Sequence, residues 1–242
     1  MKWSLAFVFW VLAGLSLANE KVPDMEIRPL EEGVYLHTSY KVVDGFGLVD
    51  ANGLVVRFGD DAYIIDTPWS DTDTQVLLDW IASQGMAVKG SVSTHWHEDR
   101  TAGIALLNAR SIPTYASKQT NTLLAEAGKA QATHAFDETV FALLEEKIEV
   151  FYPGPGHTRD NLVVWLPQSD ILLGGCMIRA AESDNLGYTG EASIDKWSDS
   201  VARVQSRYQD IRYVVPGHGK VGDASLLAHT RALAESAKPV KR

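Results

Sequence analysis

The stretch Thr94-His-Trp-His-Glu-Asp-Arg100 places two imidazoles and a carboxylate, those of His95, His97 and Asp99, at alternate positions. In a locally extended chain alternate side chains point to one side, so the three can converge on a small volume. Two imidazoles and a carboxylate suit a divalent metal of zinc type. A polar surface loop has much the same composition, so this stretch alone does not decide. Three others add weight: Gly154-Pro-Gly-His157, Gly174-Gly-Cys176 and Pro216-Gly-His218, each directly after a short apolar run. Glycines let the backbone turn sharply there, so the next side chain projects from a strand end, where function is commonly mounted. Four such loops carry His95, His97, Asp99, His157, Cys176 and His218. Together they point to a metal site.

The elements that must hold these loops follow from periodicity. Strands are expected over residues 34–38, 45–49, 53–58 and 62–66, separated by Gly, Asn and Asp as turn formers. Helical spacing covers 72–82, with Val76, Leu77, Trp80 and Ile81 on one face. A strand over 88–93 enters the first motif. A short helix, a strand at 112–116 and a helix at 118–127 follow. The second half repeats the outline, with strands at 148–152, 162–166 and 171–173. A helix over 193–208 buries Ile194, Trp197, Val201, Val204 and Tyr208, with Ser193 as N-cap. A strand at 212–215 and a helix at 224–237 close the chain. Strands then helices, given twice with no linker between, predict one α/β domain built as a four-layer sandwich, two packed sheets with helices outside.

The 242 residues are 45% hydrophobic and 22% charged, a globular composition able to bury a large core. A formal net charge of −9 without a basic cluster argues against nucleic acid or an anionic membrane surface as partner. Met1-Lys2, an apolar run over 3–15 and Ser16-Leu17-Ala18 read as a signal peptide, residues 1–18, cleaved after Ala18. The mature domain, residues 19–242, is then expected to be soluble, periplasmic and monomeric. Cys176 is the only cysteine and in an oxidising compartment cannot form an internal disulfide. Either it is buried and inert, or something binds it.

On these motifs the chain resembles the metallo-β-lactamase fold, and specifically the subclass B1 metallo-β-lactamases, over essentially the whole mature length. The resemblance implies two zinc ions, one held by His95, His97 and His157, the other by Asp99, Cys176 and His218. It implies hydrolysis of the β-lactam amide of penicillins, cephalosporins and carbapenems by a zinc-bound hydroxide, with Asp99 orienting it. Glyoxalase-like and phosphodiesterase-like members resemble one another in placing a histidine directly after the motif aspartate; this chain has Arg100 there. They also bridge the metals with an aspartate, where this chain has Cys176. Two competing readings are another dinuclear-zinc hydrolase acting on esters or thioesters, and an exported zinc-buffering protein. Six ligands split three and three argue against storage, since a closed structural site puts four on one zinc.

Arg179 falls where the family usually has a lysine that pairs with the substrate carboxylate, and a guanidinium could do so bidentately. Tyr188 occupies the place of an asparagine that often helps hold the carbonyl oxygen; its phenol either donates or only shapes the pocket. Asp66 is read as tying a loop or capping a helix, Arg100 as supporting the ligand loops, and Trp69 and Trp96 as pocket walls or packing anchors. His37, His134 and His229 are read as structural or surface residues. Residues 40–46 form either a mobile apolar hairpin or a tucked-in turn.

Overall fold

The computed structural model describes residues 22–238, so the expected signal peptide and its cleavage point lie outside the described residues. Seven strands form one sheet with neighbours in chain order: β1 (Glu26–Glu31), β2 (Val34–Val43), β3 (Gly47–Phe58), β4 (Asp61–Ile65), β5 (Ala87–Val92), β6 (Thr114–Ser117) and β7 (His134–Phe136). β1 to β4 are antiparallel hairpins. β4 to β7 run parallel, which requires crossover helices. These are α1 (Asp71–Ser83), α2 (Glu98–Thr101), α3 (Ile104–Ala109) and α4 (Lys118–Glu126). The second sheet holds β8 (Val140–Leu144), β9 (Ile148–Phe151), β10 (Val163–Leu166), β11 (Ile171–Gly175) and β12 (Tyr213–Pro216). Its one parallel pair, β11 with β12, is joined through α5 (Ile194–Arg207), and α6 (Ser225–Ala237) ends the chain.

Strand periodicity sorts the side chains into layers. Leu54, Val56 and Ile65 from the first sheet meet Val150, Val164 and Leu173 from the second, forming the core between the sheets. The alternate residues Val55, Ile64 and Ala62 pack outward with Leu77, Ile81 and Leu107. On the other side Val163, Leu172 and Val214 pack with Trp197, Val201, Leu226 and Leu227. The result is the four-layer sandwich expected from the sequence.

Several local readings need correction. β1 is not among the expected strands, because it is an edge strand with half its residues exposed. β7 and β8 are short, partly exposed strands of three and five residues, too few to show a clear period. On α1, Val76 is 47% exposed and Leu78 is buried in its place. Ser193 stands at the N-cap of α5 but its side chain caps nothing; its backbone N–H instead donates to Gly156 O at 2.8 Å.

The largest revision concerns residues 50–52, expected as a turn between two strands but lying within the continuous strand β3. Gly53 serves close approach rather than turning, for a Cβ there would sit 2.4 Å from His37 Nε2 and 2.6 Å from Ile65 O. The turn of this hairpin lies instead at residues 44–46, and it leaves Val42, Phe46 and Leu48 exposed, so the tucked-in reading does not hold. Ser70 does cap α1, accepting from Asp73 N at 3.0 Å. Ser70→Ala is expected to lower stability by about 1 kcal/mol in denaturant melts, leaving the fold intact.

Candidate metal centre

The ligand loops are set by a buried carboxylate. Asp66, at the end of β4, adopts φ 61°, a left-handed conformation uncommon for a non-glycine residue. In it the side chain accepts from Thr94 N at 2.7 Å and Thr94 Oγ1 at 2.9 Å, fixing the residue that precedes His95. Burial pushes its pKa up to about 6 against the pull of Arg100 and Thr94. The loop-tying role read from the sequence is therefore the observed one.

His95, His97 and Asp99 do converge, but not by strand alternation. Residues 94–97 are a bend, and α2 begins at Glu98, with Arg100 N and Thr101 N donating back to His97 O. The bend over 94–97 and the first turn of α2 bring Asp99 back beside His95, Oδ1 lying 3.9 Å from Nε2.

Three imidazoles cluster edge to face, with ring centroids 4.7 Å apart for His95–His97, 5.0 Å for His95–His157 and 5.1 Å for His97–His157. His97 Nδ1 lies 3.1 Å from His157 Nε2. Burial and then the neighbouring His97 hold both His95 and His157 well below the usual imidazole range, so both are neutral. The His95–Asp99 contact is accordingly not an ion pair. His95 Nε2 is buried without a hydrogen-bond partner among the described residues. An unpartnered buried nitrogen facing two more imidazoles is what a metal ion satisfies.

Beside this cluster Cys176 Sγ donates to Asp99 Oδ2 at 3.2 Å and lies 3.2 Å from His218 Nε2, itself 3.4 Å from the same carboxylate oxygen. Burial opposes charge on His218, but Cys176 and Asp99 outweigh it and push its pKa up to about 10. Asp99 is held well below the usual carboxylate range: Arg100 and His218 overcome its burial. Ligand atoms of His95, His97 and His157 lie within 4.8 Å of one another, as do those of His95, Asp99 and Cys176. Imidazole, thiol and carboxylate donors in two adjoining groups fit zinc.

Glycine lets the Cys176 and His218 loops touch. A Cβ on Gly217 would fall 2.6 Å from Cys176 N and 2.7 Å from its Sγ. Behind both loops stands Arg100, fully buried, donating to Asp99, Asn52 O, Cys176 and Gly217 O. This is the supporting role expected of it.

The site opens into a cavity of about 590 Å³ walled by Trp69, Trp96, Val43, Phe46 and Leu48. Arg179 lines it and donates through Nε to Asn185 O at 3.2 Å, forming no ion pair among the described residues. Tyr188, 46% exposed, turns its ring edge-on to His97 at 5.8 Å. His37 and His229 make buried or half-buried bonds to Asp66 O and Ser183 O, while His134 stacks on Tyr115, as structural residues would.

Sequence reasoning missed three participants. Asn52 donates its amide to Pro216 O and Gly219 O, and Asp50 accepts from His218 Nδ1 through its carbonyl and from Gly219 N through its carboxylate. Both were masked by their resemblance to turn formers. Glu191 contacts His97 and Trp96, and nothing in its local sequence marks it.

The model of the metallo-beta-lactamase superfamily matches residues 46–218. A "Metallo-beta-lactamase type 2" of Pseudomonas aeruginosa is 49% identical over 216 residues, covering 89% of this chain and 87% of the relative. The crystal structure of the DIM-1 metallo-β-lactamase exposed to ceftazidime is 55% identical with a TM-score of 0.89, covering 90% of this chain and all of that one. The TMB-1 structure is also 55% identical, with a TM-score of 0.88 and coverage of 89% and 99%.

Proposed function

The chain belongs to the metallo-β-lactamase superfamily, and from that premise we propose that it hydrolyses the β-lactam amide of penicillins, cephalosporins and carbapenems with two zinc ions. His95, His97 and His157 would hold one, and Asp99, Cys176 and His218 the other. When bound, zinc supplies Lewis acidity, lowering the pKa of water to about 7 and polarising a carbonyl. The observation that carries the reading is the pair of adjoining three-residue groups on strand-end loops, from which His97, His157, Asp99 and His218 line one cavity.

The chain's own groups have separable tasks. Asp99 stays anionic, and its Oδ2 is occupied by Arg100, Cys176 and His218. Its Oδ1 is left to accept a hydrogen bond from the attacking water and orient it. Arg179 offers a guanidinium at the cavity wall to the substrate carboxylate. Trp69, Trp96, Phe46 and Leu48 bury the apolar body of the substrate, and Tyr188 shapes the mouth. The apolar residues 3–15, read as part of a leader that is then removed, support export to the periplasm.

Imipenem and a penicillin, offered to the mature protein with added zinc, are expected to be hydrolysed, and EDTA to abolish the reaction. Two bound zincs with no lactam turnover would transfer the site to a different hydrolysis, that of esters or thioesters. Arg179→Ala is expected to raise KM roughly 10-fold for a carboxylate-bearing lactam, the loss of one charge-assisted contact. Steady-state kinetics read this directly, and an unchanged KM removes Arg179 from the substrate site.

A further inference from the structure

We propose that Glu191 is a positioning residue that fixes His97 and Trp96 as one unit, setting the metal-facing nitrogen of the histidine and the wall of the cavity together. The inference deepens the zinc reading above and rests on it. A single oxygen carries the geometry. Glu191 Oε2 accepts from Trp96 Nε1 at 2.9 Å and lies 3.1 Å from His97 Nε2.

The first consequence is a tautomer. An ionised carboxylate only accepts hydrogen bonds, so the His97 nitrogen facing it is the one that carries the proton. The lone pair is then on Nδ1, and Nδ1 is the atom 3.1 Å from His157 Nε2, inside the imidazole cluster. A carboxylate behind a ligating histidine orients the ring and raises its basicity. Among the described residues, His97 is the one of His95, His97 and His157 with a carboxylate oxygen within hydrogen-bond distance; the other two keep a buried nitrogen without a partner there.

The second consequence is a wall. Trp96 lines both the metal-site cavity and a neighbouring one of about 510 Å³, which also meets Leu123, Glu126, Ala127 and Arg159. Lys129 lies over the indole at 5.3 Å, and Glu191 holds its N–H. The indole, a donor with no acceptor of its own, has Glu191 as its hydrogen-bond partner. Removing that carboxylate frees the ring and the ligand beside it at once.

The test compares Glu191→Ala and Glu191→Gln with the parent by readouts other than lactam turnover. Zinc affinity is measured by competition with a chelating dye on metal-free protein. The His97 tautomer and the Trp96 indole N–H are followed by 15N NMR, the latter assigned with Trp96→Phe. Glu191→Ala is expected to weaken the tighter zinc step about 10-fold or more, to mix the His97 tautomers and to speed exchange of the Trp96 N–H with water. Glu191→Gln, whose amide oxygen still accepts from both groups, is expected to recover most of the tautomer and exchange signatures. Unchanged zinc affinity and an unchanged His97 tautomer in Glu191→Ala overturn the proposal, as does a loss of the tautomer and exchange signatures that glutamine fails to relieve. A parent protein that binds no zinc defeats the functional reading instead, so the two failures are distinct.

Discussion

Cys176→Ser is expected to lower kcat/KM for a penicillin by on the order of 100-fold or more, and to leave the protein with one tightly bound zinc instead of two. The sulfur is buried, 3.2 Å from both Asp99 Oδ2 and His218 Nε2, with Arg100 Nη2 donating to it at 3.3 Å. A thiol can ionise on meeting zinc, and a soft thiolate is a preferred ligand. A serine hydroxyl is smaller, harder and stays protonated at neutral pH, so one of the two anionic ligands, the thiolate, is lost. Asp99 and His218 alone then face the second ion. The three-histidine cluster, which does not touch the sulfur, keeps its own. Metal content by elemental analysis beside steady-state kinetics separates the two effects. Two retained zincs with normal turnover would remove Cys176 from the metal site and return it to the role of a buried, inert thiol.

How far the sequence reveals this arrangement depends on what each residue interacts with. His157, Cys176 and His218 are legible because each stands just past an apolar strand, so a local pattern reports a global position. The layers are legible for the same reason: alternation along β3, β4 and β10 sends successive residues to two different cores. Asp50 and Asn52 are not, since their polarity is satisfied by a loop more than 160 residues away, and an isolated Asp-Ala-Asn-Gly looks like a turn. The α2 turn is missed because a four-residue helix has too few positions to show a period. Glu191 fails differently: its partners are 94 and 95 residues distant, and it looks like any surface glutamate.

Arg100→Met is expected to destabilise the metal-free protein by about 3–5 kcal/mol, because removing one partner of a buried charge cluster strands the others. For a chain of this length that is a fall in Tm of roughly 10 °C. Arg100 is wholly buried, and burial opposes its charge; Asp99, Cys176 and Asp66 outweigh that cost and raise its pKa. It bonds Asp99 Oδ2 at 2.9 Å and Gly217 O at 2.8 Å, and stands 3.4 Å from Asp66 Oδ2. Methionine fills much of the volume and supplies none of these bonds. The sign with pH follows from the two carboxyls. In the parent, Asp99 has a depressed pKa, so its contribution is present above the unfolded value near 4 and is lost only as pH falls through the folded one. Asp66 is raised to about 6, so its contribution is present below the unfolded value and is lost as pH rises through 6. Without the guanidinium both folded values move up, and each ionised carboxylate then opposes folding. The destabilisation should therefore be larger at pH 8 than at pH 5, where Asp66 is already mostly protonated. Denaturant melts at the two pH values, run with chelator so that zinc binding adds nothing to apparent stability, measure the difference. A loss below 1 kcal/mol, equal at both pH values, would mean that the carboxylates do not depend on Arg100 for their charge.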